Sequence, residues 1–276
     1  MDSFTNGGLT FRISDHGPPD GRPLVLLHGF PGSSATWAGV VPSLAERGLR
    51  VLAPDQRGYS PQARPAGRDS YRLGELVGDV VALIDAAGLD RVHIAGHDWG
   101  AVVAWALAAA HPDRVVSLTA LATPHPGAIR ASLARGQARR SVYIGLFWLP
   151  VVPERVLLAR DGAGLRAMLR RAGLSRSWRD AYTAAMLEPG ALGGALAWYR
   201  ALPPSGPPPA AGRVSVPTCF VHASADPTAS PAAVERTAAF VDGPYRCETV
   251  AASHWLPEDH PEFVVRFITE TTEGSC

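Results

Sequence analysis

Apolar positions along the chain switch repeatedly between strand-like and helix-like spacing. Leu9-Thr10-Phe11-Arg12-Ile13-Ser14 alternates with period two and predicts an early antiparallel strand. Pro23-Leu24-Val25-Leu26-Leu27 is continuously apolar, as expected of a strand covered on both faces. A helix is predicted from about Ala35 to Arg47, then a strand at Arg50-Val51-Leu52-Ala53. Leu73 to Ala87 carries apolar residues at helical spacing and stops at Gly88. Val92-His93-Ile94-Ala95 reads as a strand, Ala101 to Ala110 as a buried helix, and Val115 to Leu121 as another strand. This alternation predicts a doubly wound, mostly parallel α/β sheet. Ligands of such sheets sit beyond the carboxyl ends of the strands.

The alternation breaks after Thr123. Helical segments follow one another with no buried strand between them; one spans Ser175 to Met186, with Ser175 in N-cap position and Glu188-Pro189-Gly190 closing it. Pro203 to Pro209 reads as a stiff connector. Strands resume at Thr218-Cys219-Phe220-Val221-His222 and Tyr245 to Val250, and a last helix runs from about Glu262 to Thr269. The expected organisation is a core of residues 1–123 and 213–276, with a helical cap, or lid, of residues 124–212 inserted into it.

A chain of 276 residues can bury a sizeable core, and 46% hydrophobic with 18% charged residues is ordinary for a globular enzyme. All 26 basic residues are Arg, a bias attributed to a high-GC genome. A net charge of +1 gives no reason to expect nucleic acid or an anionic membrane as partner. No secretory signal is visible at Met1 to Asn6, and no apolar run reaches the roughly 20 residues of a membrane span, so a cytoplasmic location is expected by default. Cys219, Cys247 and Cys276 are too few and too scattered for a disulfide framework or zinc site, and the first two are expected in buried strands. No phosphate loop, metal-ligand cluster or dinucleotide fingerprint appears, so no cofactor is expected.

The chemistry centres on Gly96-His97-Asp98-Trp99-Gly100, where a strand turns sharply into a helix. This is the layout of a nucleophile elbow, with Asp98 at the position usually held by Ser. Together with His28-Gly29-Phe30-Pro31, Asp55-Gln56-Arg57-Gly58-Tyr59-Ser60, Trp198-Tyr199-Arg200 and Ser253-His254-Trp255, it resembles the α/β-hydrolase fold, in the branch of epoxide hydrolases and haloalkane dehalogenases. The resemblance covers essentially the whole chain.

It implies an alkyl–enzyme ester on Asp98, because a carboxylate attacks an sp3 carbon and splits one difficult displacement into two steps. His254 is then the base that activates water, and Asp226 the acid that orients it. The backbone N–H groups of Phe30 and Trp99 are the expected oxyanion donors, and the Phe30–Pro31 peptide is expected to be cis. His28, His97 and His125 are expected to shape loops, and His260 to be structural. Opening an epoxide produces an alkoxide that needs a proton, and Tyr199 matches one of the family's lid tyrosines. The second is expected where Leu146 stands, leaving Tyr143, one helical turn earlier, as candidate. Trp148 keeps an alternative open: with Trp99 it resembles the halide clamp of a haloalkane dehalogenase. Phe147, Trp148, Trp37 and Trp255, with Phe30 and Trp99, are expected to line an apolar pocket. The preferred substrate is a bulky hydrophobic or aromatic epoxide of secondary metabolism, consumed with water by a monomer or homodimer.

Overall fold

A computed structural model describes residues 1–202 and 212–274 of the protein. Eight strands form one sheet: β1 (Ser3–Asn6), β2 (Leu9–His16), β3 (Arg22–Leu27), β4 (Leu49–Pro54), β5 (Val92–His97), β6 (Val115–Leu121), β7 (Thr218–Ala223) and β8 (Tyr245–Val250). Their order is β1-β2-β4-β3-β5-β6-β7-β8; β1 and β2 are antiparallel, β2 also lies antiparallel to β4, and every other pairing is parallel. β1 is absent from the sequence expectation. It is joined to β2 by Gly7 and Gly8, both at positive φ, so Asn6-Gly7-Gly8 was the hairpin signal.

The continuous apolar runs serve both faces of the sheet, as period two requires. Val25, Leu27, Ile94, Leu118 and Phe220 pack on one side, and Leu24, Leu26, Ala95, Leu121, Cys219 and Val221 on the other. The first side is covered by α2 (Leu73–Ala86) and α3 (Trp99–Ala110), the second by α1 (Val41–Glu46) and the later α12 (Pro261–Thr272).

The single helix expected from Ala35 to Arg47 is instead a 3-10 turn, Ser34–Trp37, followed by α1. Pro42 explains the break, since it lacks the N–H that a continuous helix would donate to Ala38. Cys247 also departs from expectation: it is exposed on β8, the last strand of the sheet, whereas Cys219 is buried.

Between β6 and β7 the chain runs through α4 (Pro126–Ala131), α5 (Gln137–Arg140), α6 (Val142–Phe147), α7 (Val152–Arg171), α8 (Arg176–Met186) and α9 (Ala191–Ala201). α7 is interrupted by non-helical residues Ala159 to Gly162. The connector expected at Pro203 to Pro209, and Cys276, lie outside the described residues. After β7 follow α10 (Pro231–Thr237) and α11 (Leu256–Asp259).

α9 is anchored to the loop after β4. The Trp198 indole N–H donates to the Arg57 carbonyl at 2.7 Å. Gly58, at φ +89°, and Gly194 pass so closely that a Cβ on either would strike the other's backbone. Arg57 is held in turn by two hydrogen bonds of 2.7 Å to the buried Asp79. This docking fixes the neighbour of Trp198, Tyr199, above the elbow.

Candidate active site

β5 delivers Asp98 at φ 53°, ψ −120°, a strained conformation costing about 1–3 kcal/mol that persists only where its surroundings enforce it. The flanking glycines are the enforcement. A Cβ on Gly96 would strike the Gly100 carbonyl, and one on Gly100 would strike the carbonyls of Leu27 and His28. Gly29 leaves room for the Asp98 side chain itself, since a Cβ there would collide with it. The Phe30–Pro31 peptide is cis, and the Phe30 N–H donates to Asp98 Oδ1 at 2.9 Å.

His254 lies opposite. Its Nε2 is 3.6 Å from Asp98 Oδ2, and its Nδ1 bonds Asp226 Oδ2 at 2.7 Å. The second Asp226 oxygen accepts from the Thr228 N–H and hydroxyl, both at 2.7 Å. Burial would push Asp226 up, but His254 and the Thr228 donors hold it at about 2. Asp98 is likewise opposed by burial and lowered by His254 and the Phe30 N–H. Burial opposes the charged form of His254 too, yet the two carboxylates raise its pKa well above the usual value. The site is therefore a histidine between two carboxylates, one of them at the tip of the elbow.

His97 and His28 carry structural bonds: His97 Nε2 meets the His254 carbonyl at 2.8 Å, and His28 Nε2 accepts from the Gln56 N–H at 3.1 Å. Burial lowers His97 to about 4, which keeps it neutral. His125 caps α4, and His260 stacks on Phe263.

A cavity of about 670 Å³ opens above Asp98, lined by Trp99, Val102, Ile129, Tyr143, Trp148 and Tyr199 among others. Tyr143 and Tyr199 meet edge to face with ring centroids 6.1 Å apart. Burial raises the pKa of both hydroxyls, and the Asp98 charge raises them further. Tyr143 is 38% exposed over its whole surface, yet its hydroxyl is enclosed and interacts with that of Tyr199. Leu146 is 45% exposed and does not line the cavity. Both tyrosines thus remain protonated donors beside an ionised carboxylate.

The aromatic lining expected from sequence is corrected at several positions. Trp37 belongs to the core on the opposite side of the sheet. Trp255 packs edge-on against His254 and donates to the Ala172 carbonyl at 2.9 Å, so it backs the histidine rather than the cavity. Phe147 and Phe30 sit behind Tyr199, with centroids 4.9 and 5.5 Å from it, and neither lines the cavity. Trp148 does line it, but its indole N–H donates at 2.8 Å to the Tyr199 carbonyl. That donor is committed to holding α9, so the halide clamp of Trp99 with Trp148 is not formed.

Two contributors escaped the sequence reading. Thr228 could have been found, because Asp-x-Thr favours a turn in which the side chain bonds its own backbone. Glu258 could not. It receives the Tyr182 hydroxyl at 2.6 Å, Tyr182 in turn bonding Thr36 at 2.8 Å, and burial raises its pKa to about 7. Among the described residues no group of His, Cys, Asp or Glu is arranged to hold a metal ion.

A mostly parallel sheet carrying an elbow carboxylate, a histidine and a second carboxylate at its carboxyl edge is the framework of a hydrolytic enzyme. Residues 22–261 match the alpha/beta hydrolase fold family, and the chain belongs to that family. It is 34% identical over 274 residues to the AB hydrolase superfamily protein YfhM of Bacillus subtilis (strain 168), covering 97% of this chain and 96% of that one. It is 33% identical over 311 residues to Epoxide hydrolase A of Mycobacterium tuberculosis, covering 97% and 95%. Among solved structures, Epoxide Hydrolase A from Mycobacterium thermoresistibile superposes with a TM-score of 0.82 at 26% identity, over 99% of this chain and 97% of that one.

Proposed function

We propose that the protein hydrolyses hydrophobic epoxides to vicinal diols through an ester on Asp98, with the helical segment between β6 and β7 acting as a lid. The observation that carries the reading is the pair of enclosed tyrosine hydroxyls, of Tyr143 and Tyr199, lining the same cavity as Asp98. Asp98 Oδ2 attacks an epoxide carbon as the C–O bond breaks, and a tyrosine O–H gives its proton to the departing oxygen. Esterification removes one of the two negative charges that raise the His254 pKa, so the imidazolium releases its proton, which restores the tyrosine hydroxyl. His254 then takes a proton from water, and the resulting hydroxide attacks the ester carbonyl. The N–H groups of Phe30 and Trp99 stabilise the oxyanion. Collapse frees the diol, the acid proton of Asp98 passing to the departing oxygen, and leaves His254 protonated as it began.

Dehalogenation is the weaker reading, because the Trp148 indole N–H is engaged with the Tyr199 carbonyl. Incubating the protein with aromatic epoxides and with chloro- and bromoalkanes, and measuring diol and free halide separately, tests the choice. Diol without halide is expected; halide release with no diol from any epoxide would overturn it.

A further inference from the structure

α6 is apolar on every side. Its inner face sets Tyr143 and Phe147 against Tyr199. An outer stripe, Val142 and Leu146 of α6 with Leu149 just beyond its end, follows i, i+4, i+7 spacing and is 72%, 45% and 46% exposed. Val151, Val152 and Val156 extend it along the start of α7 and are likewise about half exposed. A helix apolar all round is normally buried, and exposed apolar surface gathered in one place marks a binding face. The stripe reaches the mouth of the cavity, where the exposed Leu133, Val142 and Trp148 are also lining residues.

Charge selects the occupant. From Pro126 to Val156 the chain carries Arg130, Arg135, Arg139, Arg140 and Arg155 against one carboxylate, Glu154, which is paired with Arg200. Arg140 is bonded to the carbonyls of Asp226 and Pro227, Arg130 lines the cavity mouth, and Arg135, Arg139 and Arg155 are exposed. The net charge of +1 conceals this local excess. A second copy docked here about a two-fold axis would set arginines against arginines. An anionic bilayer accepts both features, the apolar stripe entering the headgroup boundary and the arginines meeting the phosphates.

We propose that this face docks on an anionic lipid surface with the cavity mouth turned toward the bilayer, so that apolar molecules pass from membrane to site. Attachment is peripheral, since among the described residues no helix is long and apolar enough to cross a membrane. The binding itself does not depend on the reaction proposed above.

Co-sedimentation with vesicles of equal phosphatidylcholine and phosphatidylglycerol, and of phosphatidylcholine alone, tests this. Binding to the anionic vesicles, reversed by high salt, is expected. It should fall by about tenfold or more both in Leu149→Asp/Val156→Asp and in Arg135→Glu/Arg139→Glu/Arg155→Glu. Circular dichroism and turnover of a water-soluble epoxide should stay at the parent level, because none of these residues lines the cavity. Equal recovery with and without anionic vesicles would overturn the proposal. So would a concentration-dependent dimer, seen by sedimentation, that Leu149→Asp/Val156→Asp dissolves, since a second copy would then cover the face.

Discussion

Asp98, His254 and Asp226 lie far apart in sequence and are joined through His254, by a 2.7 Å hydrogen bond to Asp226 and a 3.6 Å approach to Asp98. Their placement was legible because an elbow needs glycines at fixed offsets and the fold resemblance puts a histidine after the last strand. Hydrogen bonding was not legible, and it decides the rest. Nothing in Phe147-Trp148 reveals that one indole N–H is consumed by the Tyr199 carbonyl. For the same reason Trp37 and Trp255 looked like lining yet pack elsewhere. Replacing both tyrosines with Phe should lower kcat/KM for an epoxide by at least about 10²-fold, the lower end of what general-acid catalysis supplies. Steady-state kinetics with matched circular dichroism would check this. Trp148→Phe removes the indole donor and leaves the Tyr199 carbonyl only the Leu202 N–H at 3.1 Å, and should destabilise the protein by about 0.5–1.5 kcal/mol in chemical denaturation.

At the scale of elements, strands covered on both faces were readable because their continuous apolar runs are too short for a helix and are bounded by turn residues. The helix expected from Ala35 to Arg47 failed on a single residue, Pro42, whose missing N–H outweighs the local apolar pattern. The docking of α9 was invisible for a different reason: it depends on a close backbone approach between Gly58 and Gly194, distant in sequence. Gly194→Ala forces those backbones apart and moves Tyr199 with them. We expect a loss of about 1–3 kcal/mol in stability and a larger relative loss in kcat than in substrate affinity. Denaturation and Michaelis kinetics on the one variant read both.

Across the whole molecule, Glu258 ties α8 to the core through Tyr182 and Thr36. Burial raises its pKa from 4.5 to about 7. A carboxyl raised on folding contributes stability that is fully present below its unfolded pKa and lost as pH rises through the folded one. Relative to Glu258→Gln, the wild type should therefore lose stability between about pH 5 and pH 8, by up to roughly 3 kcal/mol. Denaturation of both proteins across that range measures the difference.

The most direct test of the two-step chemistry is the intact mass of His254→Gln after brief exposure to an aromatic epoxide. With Asp98 still able to attack and no base to activate water, the protein should gain the mass of one epoxide. Peptide mapping should place the addition on Asp98, and Asp98→Asn should gain nothing. A His254→Gln variant that turns over normally, or whose adduct persists when Asp98 is replaced, would contradict the ester intermediate.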